Sequence, residues 1–353
     1  MTAYSEWPRI STGIDRNLRA LETKSINNLI YLGVEDIWRG KIMFKRVLVP
    51  TDFSSYAHKM QECLASIPGV GEIVLLNVLD ASNPMNLEKR GWSYESMIDE
   101  AQTRLAEQAD HLANQLETGH IIKTRLMVIV EPMSGADGVN LKRIKPGPGL
   151  ELIDGGSMGD AIIKAAAGME ASLVCMGAQG KGLVEGILLG SVSTEVLRKG
   201  ETDLLIIRHK LMDENRAGGL DNHCRDIFSK VMLTTDFSEA GQEAISAAKE
   251  MPSVKEILLV NVIGSDEEFT EAGKRINQID EEMANSERKV TMHVLKGRPA
   301  DEILALAKKQ KVSLIAMGSQ GKSWSQQIRV GSTTFDVARK AECPVLVIRP
   351  KKR

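Results

Sequence analysis

Most of this chain is written twice. Val47-Leu-Val-Pro-Thr-Asp-Phe-Ser54 returns as Val231-Met-Leu-Thr-Thr-Asp-Phe-Ser238, and the same offset of 184 carries Asn77-Val78 onto Asn261-Val262. Met176-Gly-Ala-Gln-Gly-Lys181 returns as Met317-Gly-Ser-Gln-Gly-Lys322 at an offset of 141. Over the 32 columns from Gly177 to Arg208, 14 residues are identical to their partners 141 positions on. A repeat of this length is a duplicated domain, not a solenoid unit. The fall from 184 to 141 places 43 extra residues in the first copy, between Leu79 and Gly156.

Each copy alternates short apolar runs with helical patterns. Arg46–Pro50, Ile73–Leu79, Lys123–Val130, Ser172–Met176 and Asp203–Arg208 read as strands, with helical spacing over Ser54–Ser66, Ser93–Glu117, Gly159–Gly168 and Val192–Lys199. Apolar strands between helices predict parallel sheets covered on both faces. The expected architecture is α/β: two tandem doubly wound sandwiches, each with about five parallel strands. Residues 1–43 match neither copy, and their apolar spacing suits a helical extension. The first domain is expected over 44–209, with a Gly- and Pro-rich flap at about 131–150 inside it. A polar linker follows over 210–226, and the second domain over 227–353.

Composition removes several classes of function. Lys+Arg 45 against Asp+Glu 47 gives a net charge of -2, so no global positive field draws in nucleic acid. No apolar run reaches the length of a spanning helix, and no secretory signal is visible. Cys63, Cys175, Cys224 and Cys343 show no zinc-knuckle spacing and are expected to be reduced thiols in a cytoplasm. The six histidines are scattered, no metal site is expected, and no catalytic set is identifiable from spacing.

The chemistry is expected where strands end. In such sheets, ligands bind at the carboxyl ends of strands, at the switch point of strand order. Pro50-Thr51-Asp52 and Thr234-Thr235-Asp236 each put a carboxylate just past a strand. The residues alone leave two readings: a helix cap, or an acceptor for ribose hydroxyls. Gly177-Ala-Gln-Gly180 is followed by Gly190-Ser191, and Gly318-Ser-Gln-Gly321 by Gly331-Ser332, with nine residues between in both copies. Glycines let a backbone approach a ligand, and a helix start offers unpaired N–H groups to an anion. Ser191, Ser193, Ser332, Thr333 and Thr334 add hydroxyls there, and Lys181 and Lys322 add positive charge.

With Pro-Thr-Asp-Phe-Ser after the first strand, Asn-Val after the second and G-x2-G-x9-G-S before the last helix, both repeats resemble the universal stress protein (UspA-like) domain, an adenine nucleotide alpha hydrolase-like fold; the second departs from the pattern with Thr234 where the first has Pro50. The glycine motif resembles the family's ATP-binding branch. The resemblance implies a stress-response regulatory protein that binds ATP, ADP or AMP, with or without magnesium. It implies that Asp52 and Asp236 contact the adenosine moiety and that the backbone at Val78 and Val262 reads the adenine edge. Gly177, Gly180, Gly190 and Ser191 would hold ribose and phosphates, as would Gly318, Gly321, Gly331 and Ser332. Met176, Gln179, Val192, Met317 and Gln320 complete the candidate set within the same motifs. A slow ATPase or self-phosphorylating enzyme is one alternative, and a nucleotide-independent scaffold is another. The partners expected are an adenine nucleotide and an unidentified protein. The two copies are expected to pack as an intramolecular pseudo-dimer through Leu204–Arg208 and Val345–Arg349, with a homodimer of whole chains left open.

Overall fold

The computed structural model describes residues 43–82, 93–116, 120–130, 149–179, 189–208, 227–251, 254–283, 288–321 and 329–350. The expected N-terminal extension, the linker and nearly all of the flap lie outside these residues, as do Gly180, Lys181 and Lys322.

Among the described residues the first half runs β1 (Phe44–Pro50), α1 (Ser55–Glu62), β2 (Val70–Asp80), α2 (Tyr94–Gln115), β3 (Ile121–Val130), β4 (Leu150–Asp154), α3 (Met158–Gly168), β5 (Leu173–Gly177), α4 (Ser191–Lys199) and β6 (Asp203–Ile207). The second half runs β7 (Lys230–Thr234), α5 (Glu239–Glu250), β8 (Glu256–Ile263), α6 (Phe269–Met283), β9 (Lys289–Lys296), α7 (Pro299–Gln310), β10 (Leu314–Gly318), α8 (Ser332–Lys340) and β11 (Val345–Ile348). Serines start several helices: Ser54, Ser93, Ser157 and Ser238 each accept a backbone N–H from the first turn of α1, α2, α3 and α5.

These strands form one sheet in the order β4-β3-β2-β1-β5-β6-β11-β10-β7-β8-β9. Every pair is parallel except β6 and β11, which run antiparallel with Leu205 opposite Leu346. The last strands of the two copies therefore meet, and neither presents an open edge at the centre of the molecule. Successive strand residues face opposite sides of the sheet. Val47, Val49, Ile73, Leu75 and Leu346 join one core with residues of α1, α2, α5 and α6. Leu48, Val74, Leu76, Val345 and Val347 join the other, with residues of α3, α4, α7 and α8. Each core runs through both halves of the chain.

The first half departs from the expected five strands: among the described residues it has six. At the offset of 141, β4 lines up in sequence with Thr291–Leu295 of β9, yet β3 occupies the place beside β2 that β9 holds beside β8. Part of the extra length thus adds a strand to the sheet. One cysteine also differs from expectation. Cys63 is disulfide-bonded, while Cys175 and Cys343 are free. No helix among the described residues is long and apolar enough to cross a membrane.

Candidate functional site

The strand order places β2 and β5 on opposite sides of β1, and β8 and β10 on opposite sides of β7. Helix α1 leaves β1 toward one face and α4 leaves β5 toward the other. A crevice opens between such connections at the carboxyl ends of the strands. In each half this crevice receives the Thr-Asp turn from one side and the glycine loop from the other.

The Thr-Asp turn is built identically twice. Thr51 N–H donates to Leu76 O at 2.8 Å, and Asn77 Nδ2 donates to Thr51 O at 2.8 Å. Phe53 then takes a left-handed conformation, φ 61°, with its N–H on Thr51 Oγ1 at 3.2 Å. A bulky residue at positive φ costs free energy unless its surroundings impose the turn. Here the Arg104 guanidinium stacks over the Phe53 ring at 4.5 Å. Asp52 Oδ1 accepts the Ser54 N–H at 3.0 Å, and Ser54 Oγ, not Asp52, caps α1 by accepting from Ala57 N–H at 3.2 Å. In the second half Thr235, Asp236, Phe237 (φ 63°), Ser238 and Asn261 repeat these bonds, with Arg275 over Phe237 at 4.2 Å. The capping reading of the two aspartates is therefore wrong: the serine two residues on does that work. The sequence points to Ser54 as the cap of the first helix, as found; the roles of Phe53, Arg104 and Arg275 escaped it, although Phe-Ser recurs in both copies beside each Asp.

Beyond the ends of β1 and β7, the second strand of each half continues. Because Leu76 O faces β1, the backbone N–H and C=O of Val78, two residues on, point the same way, past the end of β1. Val262 stands in the same relation to β7, since Val260 O accepts from Thr235 N–H at 2.9 Å.

The glycine loops are pinned by backbone bonds. Ala178 N–H reaches Ile207 O at 2.9 Å and Gly190 N–H reaches Ala178 O at 2.8 Å; Ser319 and Gly331 repeat this on Ile348 and Ser319, both at 2.8 Å. Ser193 Oγ donates to Gly177 O at 2.9 Å and Thr334 Oγ1 to Gly318 O at 2.8 Å, so these buried hydroxyls brace helix to strand. Ser191 and Ser332 are exposed at the first positions of α4 and α8, with Val192 and Thr333 half-buried beside them. Met176 and Met317 point into the core. Gly190 and Gly331 cap the two helices with no side-chain oxygen on the first-turn N–H groups, unlike the serine-capped helices elsewhere.

In the second half the two sides of the crevice touch. A Cβ at Gly321 would stand 2.6 Å from Asp236 Oδ2, so a side chain there would push the carboxylate aside. Ser238 Oγ donates to Gln320 O at 3.3 Å. Asn77 Oδ1, Asn261 Oδ1 and Ser319 Oγ are buried without a hydrogen-bond partner among the described residues, which leaves polar capacity around both crevices.

The model of the universal stress protein family matches residues 43–208 and again 228–349. The chain belongs to the universal stress protein family. It is a tandem member with two such domains. A universal stress protein of Methanocaldococcus jannaschii is 34% identical over 149 residues, covering 36% of this chain and 86% of that protein. A Mycobacterium tuberculosis universal stress protein is 24% identical over 326 residues, 86% of this chain and 94% of its own. Among solved structures, a universal stress protein from Archaeoglobus fulgidus aligns with a TM-score of 0.61 at 24% identity, covering 88% of this chain and all of that one; this likeness bears on the fold.

Proposed function

We propose that the protein is an adenine-nucleotide-binding regulator with one nucleotide place in each half, taking ATP, ADP or AMP. The observation that carries this reading is the meeting of Asp236 with Gly321 in front of the uncapped start of α8. A carboxylate suits ribose hydroxyls, and open first-turn N–H groups at the positive end of a helix suit phosphates. Asp52 and Gly190 hold the matching places in the first half. The residues present fit such a ligand. Among the described residues, the three atoms nearest a Cβ at Gly331 are backbone atoms of 319–321 at 3.8–4.0 Å, an ordinary contact distance in front of α8. The orphaned Asn77, Asn261 and Ser319 oxygens match a polar occupant.

In this reading Asp52 and Asp236 accept from ribose, Val78 and Val262 offer backbone groups to the adenine edge, and the starts of α4 and α8 receive phosphate. When bound, the nucleotide supplies negative charge and ordering at the ends of both helices, and a regulator transmits that as a change in shape or surface. Magnesium is part of the proposal only as a counter-ion of the phosphates.

The test is chromatography of the small molecules released on denaturing the purified protein, paired with calorimetric titration of ATP. Gly331→Val keeps an allowed backbone, φ -69°, and fills the cradle, so it should abolish binding in the second half while preserving the fold. Release of no nucleotide, together with no heat of ATP binding to the wild type, would overturn the proposal.

A further inference from the structure

Two buried arginines stand at the ends of the paired last strands. Arg208 follows β6 and Arg349 follows β11, each only 5% exposed. Both are 141 residues apart in the repeat, and each reaches into the other half. Arg208 Nη2 donates to Ala338 O, in the last turn of α8. Arg349 Nη2 donates to Leu197 O at 2.5 Å, in the last turn of α4. The final carbonyls of a helix lack partners within it and carry the negative end of its dipole, so a guanidinium satisfies them well. The exchange is reciprocal: each half caps the helix that, at its other end, opens the other half's crevice.

Arg349 does a second thing. Its Nη1 donates to Arg329 O at 2.8 Å, two residues before Gly331 at the start of α8. One rigid fork therefore joins the end of α4, in the first half, to the loop that forms the second half's crevice. Neighbouring contacts run the same way. The Arg329 side chain pairs with Glu201, just beyond α4, and the Arg198 guanidinium of α4 stacks over Phe335 of α8 at 4.4 Å. Asp203 Oδ1 accepts the Arg349 backbone N–H at 2.7 Å. Burial holds the Arg349 guanidinium at about 10, so it stays charged at neutral pH and must keep its acceptors.

We propose that Arg349 is a positioning residue for the second site: it holds the loop before Gly331 against the end of α4, so that occupation of either site is felt at the other. The nucleotide arm of this proposal rests on the functional reading above; the strut itself does not. A ligand that orders the start of α4 leaves less ordering for a ligand at α8, which makes the coupling positive. Linkage makes it equal in both directions.

Hydrogen exchange of the full chain, read by mass spectrometry over 194–201 and 329–335, tests it. Without nucleotide, Arg349→Met should speed exchange about fivefold or more in both segments and leave 44–50 and 256–263 near wild type. Arg349→Lys keeps the charge but offers one ammonium in place of the fork, and should give an intermediate rise. Unchanged exchange over 329–335 would overturn the proposal, as would a uniform rise along the whole chain, which is the mark of lost stability alone. With the second site filled by Gly331→Val, ATP should still slow exchange over 329–335, and adding Arg349→Met should abolish that slowing. If ATP slows exchange nowhere in the wild type, the nucleotide reading fails, while the comparison without ATP still decides the strut.

Discussion

Beneath Thr51 the first half packs a chain of amides, whereas beneath Thr235 the second half packs hydrocarbon. Thr51 Oγ1 donates to Gln108 Oε1 at 3.0 Å, Gln61 Nε2 donates to the same oxygen at 3.2 Å, and Gln108 Nε2 lies 3.0 Å from His58 Nε2, with the His111 ring edge-on beyond. The repeat places Ile245 at the position of Gln61 and Gln242 at that of His58, and the paired arginines place Ile279 at that of Gln108. Ile245 and Ile279 are buried in the core. Between α5 and α6 the second half has an open surface pocket of about 380 Å³, lined by Phe237, Gln242, Arg275 and Ile279 among others. The glycine loops differ in the opposite sense. A Cβ at Gly318 would stand 2.6 Å from the Ala240 carbonyl carbon and 2.9 Å from Gly241 N, whereas one at Gly177 would stand 3.1 Å from Gln179 O. Tyr56 and Ala57 hold the places of Ala240 and Gly241 in the first half, and the smaller pair admits the closer approach. The same Thr-Asp turn, with the same local hydrogen bonds in both halves, is thus backed by an added amide chain in the first half, while in the second the glycine loop packs more closely on the start of α5.

The largest expected consequence falls on the glycines. Gly318→Ala should cost about 3 kcal/mol in urea unfolding, because the obstacle is backbone, while Gly177→Ala should cost about 1 kcal/mol. Equal losses would erase the packing half of the comparison. Next comes the amide chain. Gln108→Leu leaves the Thr51 and Gln61 donors without their shared acceptor and should cost about 2 kcal/mol. Adding Gln61→Ile should return part of that loss, since removing both partners is cheaper than removing one. If the double variant is no more stable than the single, the amides act independently.

Smaller effects follow from the carboxylates and the histidine. Because Ser54 and Ser238 cap the helices, Asp52→Asn and Asp236→Asn should leave the apo melting temperature almost unchanged. Each should weaken ATP at its own site about fivefold, roughly 1 kcal/mol. A lowered melting temperature with unchanged affinity would reverse the assignment. Last, His58 is held below its usual 6.5, first by burial, then by the nearby His111 and Arg104, with Glu62 opposing. The unfolded chain therefore binds this proton more readily, and the wild type should lose stability as the pH falls below about 6.5 toward the folded value. His58→Gln, the residue of the second half, should flatten that part of the pH profile of the melting temperature.

The duplication, the parallel sheets and the position of the crevices were legible because period, apolar runs and glycine spacing are local signals repeated along the chain. The strand β4 was not: the expected strands pass from Lys123–Val130 to Ser172–Met176 and omit Leu150–Asp154, a five-residue run behind a Gly- and Pro-rich segment that pairs with β3 at the edge of the sheet. Nor was the amide chain, since Gln61 and Gln108 meet across 47 residues and neither copy repeats them. Asp52 was legible as a turn residue, but its role beside Ser54 depends on which oxygen the α1 N–H groups find. Arg208 and Arg349 were visible as identical residues ending two apolar strands, a signal that a charge is kept where hydrocarbon would be cheaper. Their acceptors in the opposite half could come only from the structure.

Two nucleotide places on one chain can be counted. Equilibrium dialysis with radiolabelled ATP should saturate at two molecules per wild-type chain and at one in Gly331→Val. No saturable binding, or an unchanged count in the variant, would contradict the account.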